Sequence, residues 1–221
     1  MKKYKKLTIL FFVSIICHVH YKIIDENTFE RIIFMDTSVN KTSESVKNIA
    51  LIGLMTAVIC IIGPISVTLP FTPVPISLQI FAIYITAYAL GFSRSIVSTG
   101  IYLLLGAVGL PVFSGYQGGF SRLVGPTGGY LVGYIFIALI VGGVISKFPK
   151  KIWLHGLAMV IAVTICYMFG TVWFTIQANV DFKSALYMCV IPFILGDVIK
   201  IALALVVGPA IYHALKKANL N

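Results

Sequence analysis

Pro192-Phe193-Ile194-Leu195-Gly196-Asp197-Val198-Ile199-Lys200-Ile201-Ala202 is an apolar stretch that carries two charges, Asp197 and Lys200. On a helix, residues three apart share a face. The two side chains either neutralise each other or jointly grip a polar ligand. A charge at the centre of a bilayer costs about 2.5–3.5 kcal/mol or more, so it marks a functional site by default.

The surrounding chain is built for lipid. Of its 221 residues, 59% are hydrophobic and 11% are charged, and the mean hydropathy is +0.99. A soluble fold of this size cannot hide so much apolar surface, which predicts an all-α integral protein of the cell membrane. The net charge of +10 does not point to nucleic acid, because Lys and Arg lie in short clusters between apolar runs. Cys17, Cys60, Cys166 and Cys189 are scattered through apolar stretches without metal-ligand spacing and read as small hydrophobes.

Six apolar runs approach the length needed to cross about 30 Å of hydrocarbon: 49–69, 76–92, 95–110, 130–145, 154–178 and 185–213. Gly63-Pro64 predicts a kink in the first. If the runs are spans, 14 of the 17 Lys and Arg fall on one side, in 1–48, at Arg94, at Lys147, Lys150 and Lys151, and at Lys216 and Lys217. Only Arg122 and Lys183 fall on the other. The positive-inside rule then places both termini in the cytoplasm. Counted from Ala185, Asp197 lies about 18 Å along the last helix, near the midplane.

Residues 1–46 read as an extension and 47–221 as the membrane domain. Residues 1–6 are basic and 7–19 apolar, like a signal peptide's first two regions, but no small-x-small cleavage site follows. Met35 opens a polar leader, so translation is expected to start there and residues 1–34 to be dispensable.

Two connections on the outer side stand out. Gly109-Leu110-Pro111-Val112-Phe113-Ser114-Gly115-Tyr116-Gln117-Gly118-Gly119-Phe120-Ser121-Arg122-Leu123-Val124-Gly125-Pro126-Thr127-Gly128-Gly129-Tyr130, between spans three and four, is rich in Gly and Pro yet hardly polar. It is either a tight connector or a re-entrant lid over a pocket, where irregular backbone is tolerated. As a lid, Tyr116 and Phe120 would stack on a ligand, and Gln117 and Arg122 would hydrogen-bond it. A guanidinium matches a carboxylate bidentately. The turn between spans one and two, Leu69-Pro70-Phe71-Thr72-Pro73-Val74-Pro75-Ile76-Ser77-Leu78-Gln79, carries three prolines, and Gln79 either packs against another helix or faces the pocket.

The sequence holds no nucleotide loop, zinc-protease motif, C-x-x-C or nucleophile elbow, and its four histidines are dispersed. No enzyme, cofactor or metal site is read from it.

Four stretches resemble the BioY family: Thr72-Pro73-Val74-Pro75-Ile76-Ser77-Leu78-Gln79; Gly109–Gly115 with Gly118-Gly119; Gly125-Pro126-Thr127-Gly128-Gly129-Tyr130-Leu131-Val132-Gly133; and Gly196-Asp197-Val198-Ile199-Lys200. They occur in the family's order from about Lys47 onward. The resemblance implies six helices and a biotin-binding S component of an energy-coupling factor transporter, with its site on the outer face. Its implied partners are a transmembrane coupling protein and two ABC-type ATPases. In the family the matching sixth-helix charges, here Asp197 and Lys200, lie at the biotin site. Thr72, Gln79, Tyr116, Gln117 and Arg122 complete the candidate substrate set. Gly53-x-x-x-Ala57, with Ala50, matches the small-residue pattern where the coupling protein docks. A stand-alone secondary transporter with Asp197 carrying a proton, and a scaffold with a purely structural pair, are the competing readings.

Overall fold

The computed structural model describes residues 26–67 and 75–218, with side chains from Glu44 onward. The apolar run 7–19 and the candidate Thr72 lie outside the described residues. In order, the elements are α1 (Glu26–Ile62), β1 (Ser66–Val67), β2 (Ile76–Ser77), α2 (Gln79–Val108), α3 (Phe120–Val124), α4 (Gly128–Lys147), α5 (Ile152–Ala178), α6 (Phe182–Cys189) and α7 (Ile191–Lys217). The chain divides into two units, Met1–Lys47 and Asn48–Asn221, and the second carries the candidate site. The polar stretch after Met35 is helical backbone within α1.

Gly63-Pro64 ends the first helix instead of kinking it. The Gly63 N–H still bonds the Ile59 carbonyl at 2.7 Å. A Cβ there would stand 2.8 Å from both the Ile59 and the Val112 carbonyl oxygens, so only glycine lets the loop cross this closely. Pro64 has no N–H to extend the ladder, and its carbonyl takes the Gly115 N–H at 3.1 Å. Residues 66–67 of the expected span form a short antiparallel ribbon instead, with Ser66 opposite Ser77 and Val67 opposite Ile76.

Helix α2 is 30 residues long, about 45 Å if it were straight. It is not straight. Gly91 has φ 71° and ψ −162°, which a residue with a Cβ resists. The Gln79 amide bonds the Tyr102 hydroxyl, 23 residues away, a pair that a straight helix would hold about 35 Å apart. The segments 79–90 and 92–108 therefore fold back on each other, as expected for the second and third runs. The Ser146 hydroxyl closes the turn by accepting the Phe92 N–H at 2.9 Å.

The last run is divided as well. Asp181 caps α6 by accepting the Lys183 N–H at 3.1 Å, and α6 stops at Cys189. Val190 leaves helical geometry, and α7 restarts with Pro192 in its first turn, where a missing N–H costs nothing. Asp197 thus stands six residues into α7, about 9 Å from its start. This corrects the 18 Å obtained for an unbroken helix.

Buried side chains of α2, α4 and α5 form the centre, among them Tyr84, Tyr102, Ile137 and Met159. The outward faces are apolar too, with Leu104, Ile176, Leu195 and Val206 exposed. Such a surface requires lipid as its solvent. Among the described residues, five helices are long and apolar enough to cross a membrane, α1 (from Glu44), α2, α4, α5 and α7.

Candidate functional site

Asp197 and Lys200 are both nearly fully buried, at 4% and 6% exposure. Lys200 Nζ donates to Asp197 Oδ1 at 2.8 Å. The Tyr167 hydroxyl donates to the other carboxylate oxygen, Oδ2. Sequence reasoning left open whether the charges meet; they do, and α5 supplies a third member. Burial of an ion pair is tolerated only when its remaining polar valences are met, and Tyr167 meets one of them.

A second polar knot lies on Gln79, which is 1% exposed. Its Oε1 accepts from Tyr134 at 2.8 Å, Ser114 at 2.9 Å and Ser77 at 3.1 Å. Its amide nitrogen donates to the Tyr102 hydroxyl, which in turn donates to the Val112 carbonyl at 3.1 Å. Gln79 ties helix to helix, and it forms part of a cavity wall.

Two cavities adjoin these groups. One, of about 150 Å³, is lined by Gln79, Ser114, Gln117, Arg122, Tyr130 and Tyr134, among others. The other, of about 40 Å³, is lined by Ser77, Tyr130, Tyr134, Tyr167, Asp197 and Lys200, with Cys166 and Cys189. They share Pro75, Tyr130 and Tyr134 as a common wall. The first opens at the exposed Gln117 and Arg122, and the second reaches the buried ion pair. A larger groove of about 370 Å³ is also lined by Tyr167 and Asp197. Its walls, such as Val160, Phe182, Ile194 and Val198, are apolar, so it offers little to orient a polar ligand.

The glycine loop is anchored. Phe113 and Gln117 pair as a narrow bridge, N–H to O at 2.9 and 3.3 Å. Phe113 is buried edge-on against Tyr102, with ring centroids 5.7 Å apart. Gly119 N–H bonds the Gly106 carbonyl at 2.7 Å. Gln117 and Arg122 reach the upper cavity, whereas Tyr116 and Phe120 are exposed and line neither cavity. Tyr116 sits at φ 59° at the tip of the turn.

Tyr130, Tyr134, Tyr167 and Ser77 escaped the sequence reading. Tyrosines are common in membrane helices, and nothing in their spacing to Asp197 marked them. Tyr130 is held by Thr171 at 3.1 Å. The proposed docking residues stand apart from all this: Ala50, Gly53 and Ala57 are exposed on α1.

The model of the BioY family matches residues 35–217. The biotin transporter BioY of Thermotoga maritima is 36% identical over 156 residues, covering 71% of this chain and 90% of its own length. The probable biotin transporter BioY of Pyrococcus horikoshii is 33% identical over 162 residues, 73% of this chain and 94% of its own. The fold matches the crystal structure of the S-component for biotin from an ECF-type ABC transporter, with a TM-score of 0.70, 29% identity, and coverage of 76% of this chain and 92% of that one. These relatives are named for transport, not catalysis, and the chain is a multi-pass transport protein of the cell membrane. With most of its length matched and its helices arranged as in an S-component, the chain belongs to the BioY family.

Proposed function

We propose that this chain is the biotin-binding specificity subunit of an ATP-driven vitamin uptake transporter and captures biotin from the outer face. The observation that carries the reading is the succession of two adjoining cavities, one at Arg122 and Gln117 and one at the Tyr167–Asp197–Lys200 cluster, with Tyr130 and Tyr134 between them. Biotin is shaped for such a succession. Its ureido ring has two N–H donors and a carbonyl, its thioether ring is apolar, and its tail ends in a carboxylate. Asp197 accepts from the ureido N–H groups, Lys200 donates to the ureido oxygen, and the tyrosines cover the rings. The carboxylate pairs with Arg122 at the mouth, where a bidentate contact is available.

The cavity beside the ion pair, about 40 Å³, has room for about one water. Entry of the ring system therefore requires side chains such as Phe193 or Cys189 to give way, and the ligand must share Asp197 with Lys200.

Counting the halves of α2 separately gives six crossings, with both termini cytoplasmic and the glycine loop outside, in keeping with the basic residues. The coupling protein, itself joined to two ABC-type ATPases, docks on Ala50, Gly53 and Ala57, which are exposed small residues at close-approach spacing. Residues 1–34 lie outside the working unit, and N-terminal sequencing of the native protein that found them would sink this part.

The test is a biotin titration of purified protein. Asp197→Asn and Lys200→Ala are each expected to weaken binding at least tenfold. Wild-type affinity in both would reject the site. Uptake that persists without a coupling module and collapses with an uncoupler would favour a secondary transporter.

A further inference from the structure

Among the described residues, the opposite end of the bundle carries lysines that no acidic side chain of their own unit neutralises. Along α4, Ile145 stands about 22 Å from Tyr130. Around it lie two recesses. One, of about 480 Å³, is lined by Phe92, Ser93, Arg94, Ser146, Tyr212 and Lys216, among others. The other, of about 260 Å³, is lined by Lys150, His155, Pro209, Tyr212, His213 and Lys216, among others. Ile145, Tyr212 and Lys216 belong to both, so the recesses adjoin between the corner of α2 at Gly91 and the ends of α4, α5 and α7.

Lys147, Lys151 and Lys217 flank the recesses; Lys147 and Lys151 each lie 5.6 Å from the Phe148 ring centroid. In 48–221 the only acidic side chains are Asp181 and Asp197. Asp181 caps α6, beyond the far end of α5, and Asp197 is committed to Lys200 and Tyr167.

We propose that these recesses bind the phosphate headgroup of an anionic membrane lipid, with Lys150 and Lys216 as the principal contacts. Among the described residues of this unit, Lys150 and Lys216 have no acidic partner, and an anion would complement them. Recesses between basic helix ends suit a headgroup, and the exposed apolar residues beside them, Phe92 and Ile152, give its acyl chains a surface to follow. The Ser93 hydroxyl adds a neutral donor at the rim.

The experiment uses the full chain in phosphatidylcholine nanodiscs and measures displacement of a fluorescent phosphatidylglycerol by unlabelled phosphatidylglycerol. Lys150→Gln with Lys216→Gln is expected to weaken phosphatidylglycerol roughly 30-fold. Lys183→Gln, at the other end, is expected to leave it within about twofold. Retained biotin affinity verifies that the double variant is folded. Unchanged phosphatidylglycerol affinity in the double variant would overturn the proposal. So would equal displacement by inorganic phosphate at matched concentration, which would indicate a free-anion site. If the double variant instead kept its lipid and failed to assemble with the coupling protein and ATPases, the recesses would be a protein-docking surface and the proposal would also fall.

Discussion

Gly208 on α7 and Gly53 on α1 are both glycines in the middle of a helix, where each costs about 1 kcal/mol relative to alanine. Their surroundings differ completely. A Cβ on Gly208 would stand 2.1 Å from Tyr88 Cδ2, whereas among the described residues nothing lies within 4 Å of one on Gly53. Gly208 is explained from inside the molecule and Gly53 is not. The same division separates whole helices. In their most apolar windows, 61% of α2 and α4 is buried within the chain but only 17% of α1. The interior is matched to itself, whereas α1 packs inward through Leu51, Met55 and Ile59 and leaves its Gly53 face open.

The comparison breaks most visibly at the buried ion pair. Removing only one charge, by Lys200→Ala, leaves Asp197 buried with Tyr167 alone. It is expected to destabilise the protein by about 3–5 kcal/mol, read as a lower thermal midpoint in detergent. Next, Gln79→Leu strands the hydroxyls of Ser77, Ser114 and Tyr134 and should cost about 1–3 kcal/mol in the same assay. Gly208→Ala should fall in that range by overpacking Tyr88. Gly53→Ala should instead raise stability, by up to about 1 kcal/mol. Gly53→Leu should leave biotin affinity intact while abolishing energy-coupled uptake in cells carrying the module. If Gly53→Leu unfolds the protein, the Gly53 face of α1 has an internal partner and the division fails. The smallest effect is expected at Tyr116, which is exposed and lines neither cavity. Tyr116→Ala should change biotin affinity by less than about threefold, well below the effect of Arg122→Ala.

Much of the molecule was legible because lipid simplifies the code. Apolar runs located the helices, and polar residues within them located Gln79, Asp197 and Lys200. The errors sit where a single residue overrides hydropathy. Gly63-Pro64 looked like a kink and is a terminus, because the glycine loop crosses at Val112 and bonds Pro64. Pro192 starts a new helix, which moved Asp197 toward one end. The charged half of the site stood out against its background. The tyrosines that frame it did not, because a hydroxyl on an aromatic ring barely changes hydropathy and gains its meaning only from the partner it meets.

The central claim is that Asp197 and Lys200 hold biotin and do more than neutralise each other. The double variant Asp197→Asn with Lys200→Met tests it most directly. It removes both charges together, keeps an acceptor for Tyr167, and avoids the penalty of an unpaired buried charge. Biotin titration of the folded double variant should show affinity reduced by a hundredfold or more. Affinity within a few-fold of wild type, in protein of normal thermal stability, would reduce the pair to a packing device and contradict the account.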